Sequence, residues 1–547
     1  MKVIIIGGVA GGMSTATRLR RLMDDAEIVV YEKSGFVSYA NCGLPYFVGG
    51  VIEEESALLL QTPHSLKQRF GLDVRVRTEV VAINPAAKVV EVVNLDTTEV
   101  YELPYDVLVL SPGASPVIPP IPGIERAMPL RTVEDVQRMA AAVSKMPASA
   151  VVIGGGFIGV EIAENLHHRG VATSIVEATA QVLAPLDPEM AQLVADEIQG
   201  HDVGLYLGES VVAVHPTTVE LASGEQLDAE LVIVAIGVRP DVSLARGAGL
   251  SVGSRGGIVV DEFNRSSDPS IYAIGDAAEK TDALDGTATL VPLANIANRQ
   301  GRVVADHIAG RDVRPLTTIG TAIVKVFDLT IGTTGWNEKR LAAFGIDFQA
   351  IHTHPASHAG YYPGAKKMAL KLLVDPVSGE ILGAQGVGTE GVDKRIDVLA
   401  TAIRAGLKAP ELADLELAYA PPFGSAKDPI NMLGYVAENV ISGLEETVQW
   451  SQVEQLQHEG AQLVDVRTAG EFARGTIPGA VNIPVDEIRA RLGEFSKDRV
   501  IVTCQVGMRG HTATRLLNEK GIHAMNLDGG YETWVNSPSA RNLQLVG

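Results

Sequence analysis

The two cysteines of this 547-residue chain, Cys42 and Cys504, are the residues best suited to chemistry, because a thiolate is a strong nucleophile. Cys42 lies in the segment SYANCGLPY and has no second cysteine nearby in sequence. A single thiol holds oxidising equivalents as a mixed disulfide, a persulfide or a sulfenic acid. Two cysteines are too few for a disulfide scaffold or a four-cysteine zinc site, and a buried, inert cysteine is the alternative to a redox thiol at position 42.

A glycine-rich segment at residues 154–159, GGGFIG, predicts a dinucleotide-binding turn between a strand and a helix. In this pattern Gly154 permits the tight turn, Gly156 lets a pyrophosphate approach, and Gly159 lets the helix pack on the strand. The helix N-terminus then offers amide donors to the phosphates. Glu177 ends the next strand, where its carboxylate would accept a bond from a ribose 2′-hydroxyl and repel a 2′-phosphate. The expected cofactor is therefore NADH, with NADPH as the alternative.

A second, less regular glycine turn lies near the start of the chain, in the segment GGVAGG, where Val9 takes the position of the middle glycine. Glu32 closes the strand that follows this turn. The later segment IYAIGDAA places Asp276 at a strand end, which suits binding of a ribityl hydroxyl or a pyrophosphate. Two nucleotide-binding units in one chain, one inserted in the other, predict a flavin site that faces a nicotinamide site.

Both glycine turns belong to strand–turn–helix–strand units, which must position them. The stiff crossover IPPIPG at 118–123 separates the two units, and SIYAIGDAA at 270–278 returns the chain to the first. From TAIVKVFDLTIGTTG at 321–335 onward, alternating strand patterns followed by helices predict an α+β unit with an antiparallel sheet. The segment from AQLVDVR at 461–467 onward predicts a further small α/β unit. The predicted domain ranges are 1–115 with 246–318, 116–245, 319–443, a linker at 444–451, and 452–547.

The composition indicates a folded, acidic protein with a net charge of −21. An acidic surface repels phosphate polymers, so we expect no nucleic-acid partner. The longest apolar stretches, such as LVIVAIGV at 231–238, are too short to span a bilayer, and the start MKVIIIGG matches neither a signal peptide nor an anchor. We expect a soluble, cytoplasmic protein without a membrane partner. Three histidines, His352, His354 and His358, lack a matching carboxylate or cysteine set, so no metal site is expected.

The motifs together resemble known families. Residues 1 to about 440 resemble the pyridine nucleotide–disulfide oxidoreductases, with FAD, NAD and dimerisation domains in that order. Within them, SYANCGLPY at 38–46 and YAPPFGSAKDPINMLGY at 419–435 resemble the coenzyme A disulfide reductases. LVDVRTAGEFARGTIPGAVNIP at 463–484 and CQVGMRG at 504–510 resemble a rhodanese domain. The resemblance implies an α/β fold with two Rossmann-like domains for FAD and NAD, an α+β dimerisation domain and a C-terminal rhodanese-like α/β domain.

The resemblance also implies binding residues for three small molecules. Those implied for FAD are Gly7, Gly8, Ala10, Gly11, Gly12, Glu32, Lys33, Asn41, Ser111, Pro112, Gly113, Gly275, Asp276, Pro292, Leu293 and Ala294. Those implied for NAD are Gly154, Gly156, Phe157, Ile158, Gly159, Glu161, Glu177 and Gly237. Those implied for coenzyme A are Ser14, Arg18, Arg21, Ser38, Asn41, Asn298, Tyr419 and Lys427. For the two arginines, which share a helix face, a solvated surface is the alternative interpretation.

The same resemblance assigns chemical roles to five side chains. Cys42 is implied as the redox thiol beside the flavin, cycling through a mixed disulfide with coenzyme A. Tyr361 and Tyr419 would reach the partner's active site in a homodimer, where they can hydrogen-bond or protonate a sulfur leaving group. Cys504 is implied as a persulfide-forming nucleophile in a loop of backbone N–H groups, oriented by Arg509, with a regulatory or docking role as the alternative.

These features predict an FAD-dependent NADH reductase of coenzyme A persulfide, polysulfide and coenzyme A disulfide, joined to a rhodanese domain that handles sulfane sulfur. Hydride would pass from NADH to FAD and electrons on to Cys42, while Cys504 would bring or remove sulfane sulfur. One alternative is an NADH oxidase or peroxidase in which Cys42 forms a sulfenic acid. Another alternative is a flavoprotein redox sensor whose rhodanese module docks a partner.

Overall fold

The structure, a computed structural model, describes residues 1–541. Residues 542–547, the end of the predicted range 452–547, lie outside the described residues. None of the helices within the described range is long and apolar enough to cross a bilayer.

The chain forms two compact units. The first comprises Met1–Ala180 and Val203–Thr318, and the second comprises Gln181–Asp202 and Ile319–Gly547. The segment Gln181–Asp202 falls inside the predicted range 116–245, yet it packs with the C-terminal part of the chain.

The first unit is built from short helices and strands in α/β order. The elements of residues 1–116 are β1 (Lys2–Ile6), α1 (Ala10–Leu22), β2 (Glu27–Tyr31), α2 (Leu44–Val48), α3 (Pro63–Phe70), β3 (Asp73–Arg75), β4 (Thr78–Asn84), β5 (Val89–Asn94), β6 (Val100–Pro104), β7 (Val107–Leu110) and β8 (Ala114–Pro116). Those of residues 117–247 are β9 (Met128–Pro129), α4 (Val133–Val143), β10 (Ser149–Ile153), α5 (Phe157–His168), β11 (Ala172–Glu177), α6 (Pro188–Gly200), β12 (Gly204–Leu207), β13 (Val211–Val214), β14 (Thr218–Leu221), β15 (Gln226–Asp228), β16 (Leu231–Val234), β17 (Val238–Pro240) and α7 (Ser243–Gly247), of which α6 belongs to the second unit. Those of residues 248–318 are β18 (Ile271–Ala273), β19 (Lys280–Asp282), β20 (Ala288–Thr289), α8 (Ala294–Ile308) and β21 (Thr317–Thr318).

Two five-stranded parallel sheets carry the glycine turns of the first unit. Their strand orders are β18-β7-β1-β2-β3 and β12-β11-β10-β16-β9. The central strands β1 and β10 are almost continuously apolar and buried, as expected for parallel strands covered on both faces. Each is followed at its carboxyl end by a glycine turn and a helix, which is where open α/β sheets bind ligands. The antiparallel sheets β4-β5-β6 and β13-β14-β15 are attached to these two layers.

The second unit contains two further sheets. The elements after residue 318 are β22 (Ala322–Val326), β23 (Leu329–Gly335), α9 (Glu338–Ala343), β24 (Gln349–Thr353), β25 (Met368–Val374), β26 (Ile381–Gly388), α10 (Val392–Ala405), α11 (Pro429–Ile441), β27 (Thr447–Val448), α12 (Val453–His458), β28 (Gln462–Asp465), α13 (Ala469–Ala473), β29 (Val481–Asn482), β30 (Val500–Thr503), α14 (Met508–Glu519), β31 (Ala524–Leu527) and α15 (Gly530–Val535). The antiparallel sheet β22-β23-β26-β25-β24 packs against α10 and α11, and the parallel sheet β27-β31-β30-β28-β29 follows. The predicted α/β fold class, with its α+β unit and small C-terminal α/β unit, is confirmed.

The segment predicted as a linker, 444–451, contains a short strand. Thr447 and Val448 form β27, which pairs in parallel with β31 of the C-terminal sheet. The backbone N–H of Asp528 donates to the carbonyl of Val448 at 3.0 Å. The segment therefore adds an edge strand to the C-terminal sheet. A two-residue strand carries too little alternation of polar and apolar side chains for a sequence pattern to reveal it.

Candidate active site

The glycine turn after β10 has the conformation that a dinucleotide requires. Gly154 has a φ of +110°, and a Cβ on Gly159 would lie 1.9 Å from the carbonyl oxygen of Gly154. A Cβ on Gly156, by contrast, would meet no atom of residues 1–541 within 4 Å. Gly154 and Gly159 are therefore needed by the fold, whereas Gly156 leaves an open surface that a pyrophosphate can approach.

The helix that follows this turn presents free amide donors. Among the described residues no side chain caps the N-terminus of α5, and its first turn carries no acidic residue. Glu177, at the end of β11, accepts a hydrogen bond from the backbone N–H of Gly155 at 2.8 Å. The carboxylate thus lies beside the glycine turn, where a ribose hydroxyl would bind. This donor and acceptor set fits a nicotinamide dinucleotide.

The glycine turn after β1 repeats this geometry with one change. Gly7 has a φ of +99°, and a Cβ on Gly12 would lie 1.9 Å from the carbonyl oxygen of Gly7. Val9 takes the N-cap position of α1, and no side chain within the described part of the chain caps it. Glu32 accepts a hydrogen bond from the backbone N–H of Gly8 at 2.8 Å. The turn fits a second dinucleotide in spite of the missing middle glycine.

Polar groups from three further segments line the first unit near this turn. Arg131 Nη2 donates to Asp276 Oδ2 at 2.6 Å, and the backbone N–H of Gly275 donates to Gln300 Oε1 at 2.9 Å. The buried ammonium of Lys280 donates to the carbonyl of Ala278 at 2.9 Å. Burial lowers the pKa of Lys280 to about 8, although Asp276 acts in the opposite direction.

The remaining residues implied for dinucleotide binding lie at loop and helix ends. Gly113 and Gly237 have positive φ angles of 75° and 108°. Lys33 is exposed after β2. The segment Pro292, Leu293 and Ala294 forms the start of α8, with Leu293 at its N-cap.

Cys42 lies in a short 3-10 turn, Asn41–Gly43, directly before α2. The residue as a whole is exposed, although neighbouring groups withdraw part of its thiol from water. Burial by neighbouring groups raises the pKa of the Cys42 thiol, Glu161 and Asp276 raise it further, and Arg131 lowers it. The buried Oδ1 of Asn41 finds no hydrogen-bond partner within residues 1–541, which fits a contact to a bound molecule.

A tyrosine–glutamate pair joins α2 to α5 near this thiol. Tyr46 Oη donates to Glu161 Oε1 at 3.0 Å. Burial raises the pKa of Glu161 to about 7, the bond from Tyr46 lowers it, and the nearby Glu164 raises it. A carboxyl group whose pKa lies near neutrality can gain or lose a proton under working conditions.

Several residues implied for coenzyme A lie where α1 packs against α8. Ser14 Oγ donates to Asn298 Oδ1 at 2.8 Å, and Arg18 Nη2 donates to Asp306 Oδ1 at 2.7 Å. Arg302 Nε lies 4.0 Å from the other oxygen of Asp306. Residues four apart on each helix thus form two facing polar rows. Arg18 is not simply a solvated side chain, because it is ion-paired across the helix contact.

The other residues implied for coenzyme A differ in their surroundings. Ser38 has a φ of 49°, a left-handed conformation that is uncommon outside glycine and that clusters at functional sites. Arg21 and Lys427 are both exposed, on the first and second unit respectively.

Two tyrosines of the second unit form an exposed pair. Tyr361 Oη and Tyr419 Oη lie 3.0 Å apart, and the two residues are 76% and 48% exposed. Tyr362, the neighbour of Tyr361, packs edge-on against His358. Large exposed aromatic side chains are typical of interaction surfaces.

Cys504 lies at the end of β30, in a loop that leads into α14. The residue is 1% exposed, and the backbone N–H of Gly507 donates to its sulfur at 3.2 Å. Gly507 has a φ of 93° and is the N-cap of α14. A thiolate or a persulfide anion at this position would be stabilised by a backbone donor at a helix N-terminus.

Arg509 holds the first turn of α14 through a two-fold ion pair. Its Nη1 and Nη2 donate to the two oxygens of Glu471 at 2.8 and 2.7 Å. This contact holds the pKa of the Glu471 carboxyl well below its usual range and raises the pKa of Arg509. Arg467 contacts the Cys504 loop by donating to Gln505 Oε1 at 3.0 Å. Arg467 thus contacts the loop directly, and Arg509 links the first turn of the following helix to Glu471.

Family models account for most of the chain. One described as pyridine nucleotide-disulphide oxidoreductase matches residues 1–301. Others match residues 321–428, described as the dimerisation domain of that family, and residues 449–537, described as a rhodanese-like domain. The chain belongs to the pyridine nucleotide-disulphide oxidoreductase family.

The relatives of this oxidoreductase match between 80% and 99% of the chain. The coenzyme A disulfide reductase of Staphylococcus haemolyticus (strain JCSC1435) is 36% identical over 441 residues, which cover 80% of this chain and 100% of that protein. The reduced CoADR-RHD protein of Bacillus anthracis is 49% identical, with a TM-score of 0.97 over 99% of this chain and 98% of that one. A NAD-dependent persulfide reductase from A. fulgidus is 37% identical, with a TM-score of 0.92 over 98% of this chain and 100% of that one.

The comparisons confirm several sequence predictions. The family, the added rhodanese domain and the assignment as an oxidoreductase are confirmed, and the expected cofactors, FAD and a nicotinamide dinucleotide, agree with this family. The individual site residues and the domain ranges stay predictions.

The sequence alone did not identify some polar residues that lie near the two thiols of this oxidoreductase. Tyr46 lies inside the quoted motif SYANCGLPY, four residues after Cys42, and that spacing was a usable signal. Glu471 follows Thr468 by three residues, and the two form a capping box at α13 that the sequence also displays. Arg131 follows no recognisable motif, because only the tertiary fold places it beside the turn that carries Asp276.

Proposed function

We propose that this oxidoreductase is an FAD-dependent NADH reductase of coenzyme A persulfide, polysulfide and coenzyme A disulfide. The observation that carries the proposal is that one chain builds two separate thiol sites. Cys42 lies directly before α2, which is hydrogen-bonded through Tyr46 to Glu161 of α5, the helix that follows the second glycine turn. Cys504 lies in a loop with a backbone donor to its sulfur. Reduction of oxygen or peroxide at Cys42 requires no second thiol loop, so the second site favours sulfur substrates.

FAD, when bound, supplies the two-electron relay between the nicotinamide and the sulfur of Cys42. In this proposal the turn from Gly7 to Gly12 and the N-terminus of α1 hold its pyrophosphate, and Glu32 and Asp276 bind its hydroxyl groups. Its other proposed contacts are Lys33, Asn41, Ser111, Pro112, Gly113, Gly275, Pro292, Leu293 and Ala294.

NADH binds in the proposal at the turn from Gly154 to Gly159, with Glu177 on the ribose. The open face of Gly156 supports this assignment, because a side chain at that position would fill the space needed by the pyrophosphate. Glu161 and Gly237 complete the proposed nicotinamide site.

Cys42 carries the proposed chemistry. Its thiolate attacks the S–S bond of a coenzyme A disulfide or persulfide, which forms a mixed disulfide and releases a thiolate or hydrosulfide. Two electrons that originate from NADH then cleave the mixed disulfide, releasing the bound thiolate and regenerating the Cys42 thiolate. Arg131 supports formation of the thiolate, because it is a cation that lowers the pKa of Cys42.

Coenzyme A is held in this proposal by the facing polar rows of α1 and α8. Ser14, Arg18 and Asn298 belong to these rows, and Arg21 extends the positive charge along α1. Guanidinium groups bind phosphates through paired donors, which suits a phosphorylated ligand. Ser38, Asn41 and Lys427 are proposed as the remaining contacts.

The proposed assembly is a homodimer whose active sites are shared between two chains. The exposed hydroxyls of Tyr361 and Tyr419 are hydrogen-bonded to each other. One hydroxyl can therefore donate a proton outward while it accepts a hydrogen bond from the other. In the proposal this pair reaches the thiol site of the partner subunit and protonates the sulfur leaving group. The proposed domain ranges are 1–115 with 246–318 for FAD, 116–245 for NAD, 319–443 for dimerisation and 452–547 for the rhodanese module.

Cys504 is proposed as the carrier of sulfane sulfur. A persulfide at Cys504 has an anionic terminal sulfur, which the Gly507 N–H and the positive charge of Arg509 stabilise. Transfer of that sulfur to a coenzyme A thiolate would generate the persulfide that Cys42 reduces.

The test compares sulfur substrates in anaerobic NADH oxidation by the purified holoenzyme. We expect turnover with coenzyme A persulfide or polysulfide, accompanied by sulfide release. Turnover with coenzyme A disulfide alone, without sulfide release, would restrict the function to thiol redox. Turnover that starts only when air is admitted would instead establish an oxidase.

Two single-cysteine variants separate the two thiol sites. Cys42→Ser is expected to abolish disulfide and persulfide reduction while flavin reduction by NADH continues. Cys504→Ser is expected to spare coenzyme A disulfide reduction. Disulfide turnover that persists in Cys42→Ser would refute the proposed role of Cys42.

A further inference from the structure

The edge strand β24 of the antiparallel sheet is covered by the rhodanese module. The backbone N–H of His352 donates to the Oδ1 of Asp528 at 3.0 Å, and the His352 ring Nδ1 lies 2.6 Å from Asp528 Oδ2. Two residues further on, His354 Nε2 lies 2.8 Å from Thr533 Oγ1. His354 directly follows the last residue of β24, and the rings of His352 and His354 both contact side chains of the module. Asp528 thus occupies the position that a neighbouring strand would take at this edge.

Two consecutive glycines after Asp528 permit close contacts on opposite sides. Gly529 has a φ of +65°, and a Cβ there would lie 2.7 Å from the Cβ of His352. Gly530 has a φ of +63°, and a Cβ there would lie 2.4 Å from the carbonyl oxygen of Cys504. Larger residues would collide at either position. One dipeptide therefore contacts the antiparallel sheet with its first residue and the Cys504 loop with its second.

The residues that follow these glycines fix the Cys504 loop through its backbone. The N–H of Tyr531 donates to the carbonyl of Cys504 at 2.8 Å, and the N–H of Glu532 donates to the carbonyl of Gln505 at 3.0 Å. Gln505 Nε2 returns a bond to Glu532 Oε2 at 2.7 Å. The backbone of the thiol residue itself is thus held by the start of α15.

On its other side, His352 is anchored in a buried charge network. Its Nε2 lies 3.0 Å from Glu189 Oε1, and its side chain is 2% exposed. The ammonium of Lys371, fully buried, lies among three carboxylates. These carboxylates are Asp187, Glu189 and Glu338. Removing one partner from such a buried ion network leaves a charge without compensation, so the network holds His352 firmly in place.

We propose that His352 is a positioning residue for sulfur transfer at Cys504, acting through Asp528 and the Gly529–Gly530 dipeptide that contacts the Cys504 loop. The inference rests on the proposed sulfur-transfer function of Cys504. A nucleophile displaced by a fraction of an ångström loses much of its rate, so its loop needs rigid support. The antiparallel sheet provides that support.

The test uses the full-length holoenzyme with the variant His352→Gln, and His523→Gln as the matched control. His523 belongs to the same module, but its pair with Glu446 is largely exposed, at 50% and 58%. Thiosulfate is the sulfur donor and cyanide the acceptor. We expect His352→Gln to lower kcat about tenfold at unchanged KM for thiosulfate, and His523→Gln to match the wild type. Anaerobic turnover of coenzyme A disulfide stays at the wild-type rate in both variants.

Amide hydrogen exchange, followed by mass spectrometry, separates positioning from folding. In His352→Gln we expect faster exchange at residues 504–507 and unchanged exchange in β28 and β30. Faster exchange throughout the module would show that His352 has a merely structural role. Unchanged loop exchange together with unchanged kcat would show that His352 has no role. Either result overturns the proposal. If the wild-type protein shows no sulfur transfer, the proposed function of Cys504 is refuted. The exchange rates of the loop would still decide whether His352 supports it.

A second variant covers the case in which His352→Gln fails to fold. Asp528→Asn keeps the shape of the side chain and one oxygen acceptor for the N–H of His352. We expect a smaller loss of kcat than in His352→Gln, with faster exchange confined to residues 504–507. Wild-type kcat and wild-type loop exchange in Asp528→Asn overturn the proposal.

Discussion

At Cys42, most neighbouring side chains oppose ionisation of the thiol. Burial and the Glu161 carboxylate raise its pKa, and Arg131 is the neighbouring cation that lowers it. Glu161 has a pKa of about 7, raised by burial, so its own charge changes near neutral pH. When Glu161 takes up a proton, one of the charges that disfavour the thiolate disappears. The charge of the Glu161 carboxylate thus disfavours the Cys42 thiolate.

Replacement of Glu161 tests this coupling. Glu161→Gln removes the carboxylate charge, so the pKa of Cys42 falls and its alkylation at pH 7.5 becomes several-fold faster, following the thiolate fraction. Alkylation by iodoacetamide is measured by mass spectrometry in holoenzyme that also carries Cys504→Ser. Arg131→Gln provides the contrast, because loss of a cation slows alkylation. Equal rates in all three proteins would contradict the electrostatic explanation.

The two-fold ion pair of Arg509 with Glu471 makes a second prediction at the level of one residue. A lysine has one ammonium and cannot contact both carboxylate oxygens in the same planar geometry. We expect Arg509→Lys to lower kcat of thiosulfate sulfur transfer about tenfold or more. Arg491→Lys is the control, since Arg491 forms exposed ion pairs with Glu487 and Glu494 in the same module. An equal loss in both variants would count against a specific role of Arg509.

Among the elements, the two glycine turns were the easiest to predict from sequence. Each combines a buried apolar strand, a glycine pattern and a helix within one short segment, so all the information is local. Position 9 is the informative exception: Val9 replaces the middle glycine, yet Gly7 and Gly12 still make the turn and the helix contact that the fold requires. Glycine is required at the first and last positions of the pattern because a side chain there would collide with the protein itself. At the middle position the requirement for glycine comes from the ligand.

This difference between the middle and last glycines predicts different effects for two alanine substitutions in the second turn. Gly159→Ala collides with the carbonyl of Gly154, so the folded protein is destabilised and its yield falls. Gly156→Ala meets no protein atom within 4 Å in the described chain, so the melting temperature stays unchanged while KM for NADH rises about tenfold. Gly247→Ala, in α7 of the same unit, is the control and leaves both quantities unchanged. A normal KM in Gly156→Ala would exclude pyrophosphate binding at this turn.

Contacts between distant segments were beyond the reach of the sequence. Thr468 and Glu471 form a capping box within four residues, so a pattern could have revealed Glu471. Lys371 and Asp187 are joined only because β25 and the start of α6 pack together, and no local pattern encodes that pairing. His352 was considered only as a metal ligand, and its acidic partners lie far away in the chain.

Within the whole chain, the buried network of the second unit links segments that the sequence would assign to three different domains. It includes Glu189 from α6, His352 and Lys371 from the antiparallel sheet, and Asp528 from the rhodanese module. Because such charges are buried, they are stable only while all partners are present. The rhodanese module is thereby fastened to the sheet by a contact whose strength depends on the protonation of His352.

The pH dependence of stability follows from the pKa of His352. Burial alone would lower this pKa, but Asp528 and Glu189 outweigh burial and raise it to about 9. The other groups that face the ring are Lys371, which disfavours its protonation, and His354, whose own pKa is lowered to about 4 by burial. A raised pKa in the folded state means that the stabilisation is complete below the ordinary value near 6.5 and is lost as the pH rises through about 9.

The three tryptophans of the chain, Trp336, Trp450 and Trp534, all belong to the second unit, so their fluorescence follows the unfolding of this unit. We expect its free energy of unfolding in urea to fall by about 3 kcal/mol between pH 6.5 and pH 9.5, because a tenfold change in proton affinity between the folded and unfolded states corresponds to about 1.4 kcal/mol. The variant His352→Gln has lower stability at pH 7 and lacks this fall, so the difference between the two curves isolates the histidine. Parallel curves for the two proteins would show that His352 is not protonated in the folded state, and that the module is fastened by its neutral hydrogen bonds alone.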